Sequence, residues 1–146
     1  MCQCTNLIYW LILHSPLTIV EHHHHDGVDL FPDFGRVVPF GTGTSILYNY
    51  KDYRVKNNTT YTFQILVHCD EKYLVGSLMS SENMPNSYHI YVEDEYFSRE
   101  NGTVYRNNKI FRKVTDVITG NEVKNELIKI NHAKVMYDTS NLIIKE

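Results

Sequence analysis

The chain has 146 residues, 42% of them hydrophobic and 21% charged, and its formal net charge is -3. This length suits one ordinary domain, and the composition excludes both a disordered polar chain and a protein with many membrane spans. A negative net charge gives no general attraction to phosphate backbones, so nucleic acid is disfavoured as a partner. We expect an N-terminal apolar segment and a His/Gly/Pro-rich loop over residues 1–35, and a β domain over residues 36–146.

The N-terminal segment is mostly apolar, and its pattern bears on membrane contact. His14 and Pro16 interrupt the apolar run Leu7–Leu13, which leaves it shorter than the roughly 20 residues that a membrane-spanning helix needs. No Lys or Arg precedes the run and no small-residue cleavage site follows it, so it does not fit a signal peptide. The pattern favours a buried strand or an interfacial helix, and membrane contact through this segment is an alternative.

A tract of four consecutive histidines, flanked by two acids, follows this segment. Imidazole nitrogens and carboxylate oxygens are ligands for zinc, copper, nickel and iron. Because neighbouring side chains of a strand point to opposite sides, His22 with His24, or His23 with His25, can face one ion. The candidate cofactor is a divalent transition metal, with the ligands His22, His23, His24, His25 and Asp26. The favoured interpretation is a solvated loop that binds metal only loosely, so the sequence leaves the cofactor open.

Turn-forming residues separate the histidine tract from the rest of the chain. Asp26-Gly27 and Pro32–Gly35 supply the positive or fixed φ angles that loops need, so we place a loop or domain boundary here. After the boundary, short apolar runs predict an edge strand over Arg36–Phe40 and further strands over Ser45–Tyr50 and Tyr53–Lys56.

Residues 60–69 show the clearest alternation of apolar and polar side chains in the chain. A period of two is the signature of a strand with one buried face, here formed by Tyr61, Phe63, Ile65, Val67 and Cys69. A second apolar run, Tyr73–Met79, follows after a short break, which predicts a hairpin at the centre of a sheet. Cys69 lies on the inward side, so we expect a buried free thiol, and an odd total of three cysteines argues against a disulfide framework.

The loop Ser80–Ser87 and the tyrosines that follow it predict a binding surface. Long loops on a β scaffold often carry binding residues, and an exposed tyrosine set often marks a recognition surface. Tyr88, Ile90 and Val92 alternate with polar or aromatic neighbours, so the first of these tyrosines lies on a predicted strand. The predicted binding surface consists of Tyr88, Tyr91, Tyr96, Asn83 and Asn86. In a β protein the tyrosines also serve as half-buried strand fillers, and this interpretation of the tyrosine content is the favoured one.

Turn signals recur about every dozen residues in the second half of the chain, as expected of a meander, sandwich or barrel. Asn101-Gly102 has the residue types of a type I′ hairpin turn. Asn107-Asn108 and Gly120-Asn121 predict further turns, and Glu93–Glu95 predicts an exposed one. The expected fold is mainly β, an antiparallel sandwich or partly closed barrel of short strands.

Residues 121–135 fit either a helix or a strand. Val123, Leu127 and Ile130 lie at helical spacing, which favours one amphipathic helix packed on the sheet. Leu127–Ile130 also passes as a strand, and this alternative stays open. Leu142–Ile144 predicts a last edge strand.

The charges are unevenly spread along the chain. Residues 70–100 carry seven acids and two bases, whereas residues 101–134 carry seven bases and three acids. We expect opposite charges to pair across adjacent strands, and a head-to-tail contact between subunits is the alternative.

We predict no catalytic residue. A Gly-x-Ser-x-Gly motif is absent from the sequence, and on a strand His68 points away from Cys69. The predicted function is a non-catalytic β-sheet interaction or assembly module that acts through a protein partner or self-association. One alternative is a metal-dependent enzyme that uses His22–Asp26, and another is a small-ligand or glycan-binding β domain.

Overall fold

A computed structural model of the chain describes residues 2–25, 27–35 and 37–146, without the side chain of Cys2. The fold is mainly β, as predicted, and contains one helix within these residues. The elements in chain order are α1 (Cys2–Leu13), β1 (Thr18–Glu21), β2 (Val28–Asp29), β3 (Arg54–Lys56), β4 (Phe63–Cys69), β5 (Leu74–Ser80), β6 (Asn86–Glu100), β7 (Thr103–Asp116), β8 (Glu122–Val135) and β9 (Ile144–Lys145).

The described strands form three open sheets in a sandwich-like arrangement. The largest has five strands in the order β2-β8-β7-β6-β9, and the other two are the pairs β1-β3 and β4-β5. Strands β6, β7 and β8 form an antiparallel meander, to which β2 and β9 add in parallel at the edges. The meander strands have 14 or 15 residues, so they are longer than the short strands that we predicted.

Helix α1 lies between the meander and the β4–β5 hairpin. Leu7 packs so closely on Gly76 of β5 that a Cβ built at Gly76 would lie 2.9 Å from a Leu7 methyl group. The helix also contributes to the main hydrophobic core, whose buried members are Tyr9, Leu13, Ile90 and Ile110. The N-terminal apolar run therefore forms a helix that packs inside the protein. Among the described residues, no helix is long and apolar enough to cross a membrane.

Arg112 of β7 secures the carboxyl end of α1. Its Nη1 donates to the carbonyl oxygens of Leu13 at 3.3 Å and Ser15 at 3.4 Å. The last carbonyls of a helix lack intrahelical donors, and a cation there also interacts favourably with the helix dipole. Glu126 of β8 accepts a hydrogen bond from Arg112 Nε at 2.6 Å, so the guanidinium joins the helix to two strands.

The predicted hairpin is confirmed, but its place in the fold is not the predicted one. β4 pairs with β5 from Phe63 opposite Ser80 to Cys69 opposite Leu74. The pair is a separate sheet and not the centre of a larger one. Ile65 is 42% exposed and Cys69 is exposed, so the expectation of a buried thiol is wrong. A two-stranded sheet covered by a single helix cannot bury a whole row of side chains.

Residues 122–135 form strand β8, so the predicted helix is wrong. β8 pairs with β7 from Glu122 opposite Thr115 to Lys134 opposite Tyr105. A β-bulge explains why the apolar residues of β8 are spaced as in a helix. A bulge between the pairs Ile110–Lys129 and Phe111–Leu127 inserts one residue, and this places Leu127 and Ile130 on the same face. A helix here would also leave β7 with an unpaired edge.

Two of the predicted turns are confirmed, and two are wrong. Asn101 and Gly102 have φ angles of 49° and 79° and connect β6 to β7, and Gly120 has a φ of 71° between β7 and β8. Asn107 and Asn108 instead lie buried inside β7, and Glu93–Glu95 forms an irregular position within β6.

Strands predicted for the first half of the chain are only partly present. The described part of Arg36–Phe40, residues 37–40, forms no strand, and Arg36 lies outside the described residues. In Ser45–Tyr50 the only described ladder contact is a single bridge from Leu47 to Lys51. β3 confirms the prediction near Tyr53–Lys56, and β9 confirms the last edge strand within a residue or two.

The predicted pairing of opposite charges across strands is confirmed. Lys109 of β7 lies 2.6 Å from Asp94 of β6. On the other side of β7, Lys113 lies 3.4 Å from Glu122 of β8. Acidic β6 of the first segment and basic β7 of the second segment are thus neighbouring strands of one sheet.

Candidate functional site

The five residues predicted as a binding surface lie at separate places. Tyr91 and Tyr96 are on the outer face of the meander, and Lys145 Nζ lies 4.7 Å from the centre of the Tyr96 ring. Tyr88 shares the inner face with Ile90, and the Arg112 guanidinium lies 5.6 Å from its ring centre. Asn83 is exposed in the loop before β6, whereas Asn86 is the first residue of that strand.

Around Tyr91, the outer face of the meander carries a group of adjacent apolar side chains. The Tyr91 ring stacks on Phe111 with a centroid distance of 5.5 Å, and Asn125 Nδ2 donates to the Tyr91 hydroxyl at 2.7 Å. Leu127, opposite Phe111, is 48% exposed, and Ile130 is 62% exposed. We call these residues, Tyr91, Phe111, Leu127 and Ile130, the outer apolar patch.

The histidine tract is held by contacts within the protein. His22 Nε2 donates to the Gly43 carbonyl at 2.9 Å, and its ring stacks on Tyr9 with a centroid distance of 4.5 Å. His23 Nε2 lies 2.9 Å from a carboxylate oxygen of Glu21. This hydrogen bond is the largest cause that lowers the pKa of Glu21. The His22 ring therefore attaches residues 21–25 to the helix and to the loop that contains Gly43, whereas the His23 ring contacts Glu21 of its own segment.

The other two histidines of the tract line cavities. The His24 ring lies so close to Gly43 that an added Cβ would come within 2.5 Å of His24 Nε2. The ring centroids of His24 and His25 are 6.4 Å apart. Among the residues that the structure describes, no group of three or more His, Cys, Asp or Glu side chains is placed to hold a metal ion. Asp26 lies outside the described residues, so the five-ligand metal site stays a prediction.

A cavity of about 620 Å³ lies where the first turns of α1 meet residues 38–43. Asn6 fixes one wall, since its Oδ1 accepts a hydrogen bond from the Thr44 backbone N–H at 2.8 Å. Apolar side chains form much of the lining, and they include Leu7, Val28, Phe31, Val38, Phe40 and Leu74. We call this cavity the apolar cleft.

A second cavity of about 280 Å³ adjoins the apolar cleft. The two cavities share His24, His25, Val28 and Phe40 as lining residues. The second one is also lined by Lys129 and Asn131 of β8, whose side chains lie on the inner face of the sheet. Because these side chains and the two histidines carry hydrogen-bond donors, we call it the donor pocket.

A buried arginine supports the floor of the apolar cleft. The side chain of Arg106 is 4% exposed, and its guanidinium lies 4.5 Å from the centre of the Phe40 ring. Its Nη2 donates to Asp33 and to Glu95, each at 2.6 Å, and its Nη1 lies 3.5 Å from Asp29. Arg106 thereby connects β2 and the following loop to the meander.

The charges around Arg106 shift the protonation of its neighbours. Burial lowers the pKa of Arg106, but the hydrogen bonds to Asp33 and Glu95 outweigh this, and the net pKa lies above the ordinary value. Burial, followed by the hydrogen bond to Asp29, raises the pKa of Tyr137 to about 12. The Tyr137 hydroxyl donates to Asp29 Oδ2 at 2.8 Å. The cluster is thus a fixed ion network and not a set of free acids.

With this geometry in place, known proteins provide a comparison. A family model described as VanW like protein matches residues 1–79, which is more than half of the chain. The vancomycin B-type resistance protein VanW of Enterococcus faecalis (strain ATCC 700802 / V583) is 31% identical over 137 residues, 94% of this chain. The chain belongs to the VanW-like family. It covers 50% of that relative and so spans about half of its length. No solved structure gives a significant match.

In this VanW-like chain, the family match contains some of the cavity walls and not others. Residues 1–79 include α1, the histidine tract and the loop that carries Phe40. Arg106, Lys129 and Asn131 lie on β7 and β8, beyond the matched range. The lining of the apolar cleft therefore falls within the range that the family model matches, whereas the donor pocket is also lined by β8.

Sequence reasoning missed Arg106 and the asparagine pair Asn108 and Asn131. Asn108 Nδ2 donates to the Phe40 carbonyl at 3.0 Å, and Asn131 Nδ2 donates to Asn108 Oδ1 at 2.6 Å. The signal was present in β7, where Arg106 and Asn108 share strand parity with the apolar residues Val104 and Ile110. The turn assigned to Asn107-Asn108 hid that alternation.

Proposed function

We propose that this VanW-like chain is a non-catalytic β module that acts through protein–protein contacts, with the outer apolar patch as its contact surface. The observation that carries the proposal is the exposure of Leu127 and Ile130 beside the stacked rings of Tyr91 and Phe111. Contiguous apolar surface on a folded domain commonly marks an interaction site. The Enterococcus relative's name states a resistance role and no catalysed reaction, which is compatible with such a module.

The side chain of Tyr91 in the outer apolar patch is held in one position by its neighbours, which favours binding of a partner. Tyr91 is held between Phe111 and His89, whose ring centroid lies 6.0 Å away, and its hydroxyl is bonded to Asn125. Side chains that are already fixed lose little conformational entropy when a partner covers them. Tyrosine at an interface also offers a large apolar area with a polar end.

Polar residues surround the patch, as is typical of interfaces. Asp94 raises the pKa of Lys109 through a hydrogen bond and its charge, and the same hydrogen bond lowers the pKa of Asp94. Lys113 and Glu122 form a second ion pair on this face. A rim with both charge signs can meet its own copy across a two-fold axis, so the partner that we propose is a second copy of the chain.

Light scattering during gel filtration over a concentration series tests this proposal. We expect the chain to shift from monomer to dimer as its concentration rises, because apolar area is removed from water in the dimer. Leu127→Lys should keep it monomeric, since two lysines cannot be buried without partners. The matched control is Ile118→Lys, which places the same charge at an exposed residue in the β7–β8 turn and should leave dimerisation unchanged. A wild-type chain that stays monomeric at every concentration contradicts the proposal.

A further inference from the structure

We infer that the open edge of β4 pairs antiparallel with β4 of a second copy of the chain, with Leu66 at the two-fold axis. In the part of the chain that the structure describes, β4 pairs only with β5, so the other edge of β4 has no partner strand. An unpaired edge presents a row of N–H and C=O groups to which another strand can add. This contact uses the hairpin and is separate from the outer apolar patch on the meander.

β4 lacks most of the features by which natural proteins protect an edge strand. Such features are a very short strand, a lysine or proline on the edge, a bulge, or a covering helix or loop. β4 has seven residues, Phe63–Cys69, without a charged residue or a proline, and it keeps one register with β5 throughout. Helix α1 packs on β5, the strand away from the open edge, where Leu7 contacts Gly76. Ile65 and Leu66 are 42% and 43% exposed, so β4 is accessible on both faces.

The hydrogen bonds of the hairpin show which backbone groups of β4 face the open edge. At one end of the hairpin, the Ser81 N–H donates to the Thr62 carbonyl at 2.9 Å, and at the other end the Asp70 N–H donates to the Tyr73 carbonyl at 3.0 Å. Because bonded and non-bonded positions alternate along an antiparallel pair, the even-numbered residues of β4 bond to β5. The N–H and C=O groups of the odd-numbered residues therefore point toward the open edge. These residues are Phe63, Ile65, Val67 and Cys69.

One register of two β4 strands uses all of these outward-facing groups. With Leu66 opposite its own copy, Ile65 lies opposite Val67 of the second copy. Phe63 lies opposite Cys69 in the same register. Each of these pairs exchanges two backbone hydrogen bonds. A shift of the register toward either end of β4 would leave some outward-facing residues without a partner.

The side chains of β4 suit pairing with their own copies. Gln64 lies opposite His68 of the second copy, and an amide and an imidazole can form a hydrogen bond across two strands. The two Leu66 side chains meet at the axis and cover apolar surface that is exposed in the single chain. Since β4 contains no acidic or basic residue other than His68, no like charges lie directly opposite each other.

The contact is small, so we expect it to be transient. A pair of seven-residue strands buries less surface than the roughly 1,200 Å² found at stable protein interfaces. The Leu127→Lys chain should therefore still elute as a monomer in gel filtration. A covalent trap is needed to detect the pairing of the β4 edges.

Disulfide trapping tests the inferred register. The test uses the Leu127→Lys chain, in which the outer apolar patch is blocked, with the three native cysteines changed to serine. In this background Leu66→Cys places two thiols at a non-hydrogen-bonded pair, where the Cα atoms are about 4.5 Å apart, a distance that a disulfide can span. The matched control is Gln64→Cys on the same face of β4, whose two copies would lie about 13 Å apart along the strands.

We expect Leu66→Cys to form a disulfide-linked dimer at least about tenfold faster than Gln64→Cys under mild oxidation, because the pairing holds its thiols together. Non-reducing electrophoresis over time measures both rates. Ile65→Pro, added to Leu66→Cys, should remove this advantage. Proline lacks the N–H that faces the open edge, whereas the pairing with β5 does not use that N–H. Ile65→Ala keeps the N–H and should keep the advantage.

Equal rates for Leu66→Cys and Gln64→Cys would overturn the inference and would leave the β4 edge to a strand of another protein. An advantage that survives Ile65→Pro would also overturn it, because the backbone of β4 would then not make the contact. If Ile65→Pro does not fold, which circular dichroism reveals, the comparison of the two cysteine variants still decides. Dimerisation through the outer apolar patch is measured separately with the wild-type chain, so either proposal can fail alone.

Discussion

The β4–β5 hairpin and the β6–β8 meander are both antiparallel, but they bury their side chains to different extents. In β4, Ile65 and Leu66 are both exposed, although they point to opposite faces of the strand. In β7, Val104, Ile110 and Val114 are buried along one face. The apolar character of the two strands does not explain this, because β4 is the more hydrophobic one.

The difference comes from what covers each strand. β7 has a paired strand on both sides, and its inner face is covered by α1 and by residues 37–44. β4 has one paired strand and one open edge in a sheet of two. Strand propensity measures how well a side chain fits a half-buried surface, so it cannot say which surface the fold will cover. The meander should therefore carry most of the stability.

The largest expected effect is at Arg106, the charged centre of the meander's inner face. Arg106→Met should lower the free energy of unfolding by about 3–5 kcal/mol, because it leaves the Asp29 carboxylate, 4% exposed, buried without its cation. Urea unfolding measures this loss. The control is Arg99→Met at an exposed position of β6, which should change stability by less than about 0.5 kcal/mol. Equal losses in the two variants would show that the ion network does not stabilise the meander.

A pair of alanine substitutions compares the meander with the hairpin directly. Ile110→Ala removes a side chain that is 1% exposed and should cost about 2–5 kcal/mol of unfolding free energy. Ile65→Ala, on the 42% exposed residue of β4, should cost less than about 1 kcal/mol. Both values come from urea unfolding monitored by circular dichroism. If Ile65→Ala costs as much as Ile110→Ala, the hairpin carries as much stability as the meander and the comparison fails.

The contrast between the hairpin and the meander also explains how much of the fold could be predicted from the sequence. Predictions that rest on neighbouring residues were correct: the mainly β fold, the hairpin of β4 and β5, and the Asn101-Gly102 turn. Predictions of features that depend on contacts between distant residues were wrong. The bulge in β8 made Leu127 and Ile130 resemble a helix face, and the burial of Asn108 depends on Phe40, which is far away in the sequence.

At the candidate site too, the sequence predicted the residues that are neighbours in the chain and missed those that are distant from them. His24 and His25 belong to the only sequence cluster with ligand chemistry, and the structure places both at the apolar cleft and the donor pocket. Their neighbours Lys129 and Asn131 come from a strand about a hundred residues away, where pairing with β7 fixes their positions. No local pattern could have joined these residues, because the register of the meander had to be known first.

The smallest expected effect is a pH dependence at Tyr137, which connects the meander to β2. Its pKa is raised from 10.0 to about 12 in the folded chain, so folding favours the protonated hydroxyl. This contribution is fully present below about pH 10 and is lost as the pH rises toward about 12, since the unfolded state then releases its proton first. Desolvation also raises the pKa values of Tyr9 and Tyr53, so wild-type stability falls with alkali for several reasons.

Tyr137→Phe isolates the contribution of this one hydroxyl. Its stability should fall less steeply than that of the wild type between about pH 10 and 12, as measured by urea unfolding at several pH values. Tyr48→Phe is the matched control, because Tyr48 is 89% exposed and its loss should leave the wild-type slope in place. If Tyr137→Phe and the wild type lose stability in parallel, the bond from Tyr137 to Asp29 does not hold the edge strand β2 to the meander. The attachment of β2 to the meander would then depend on Arg106 and on the backbone pairing of β2 with β8.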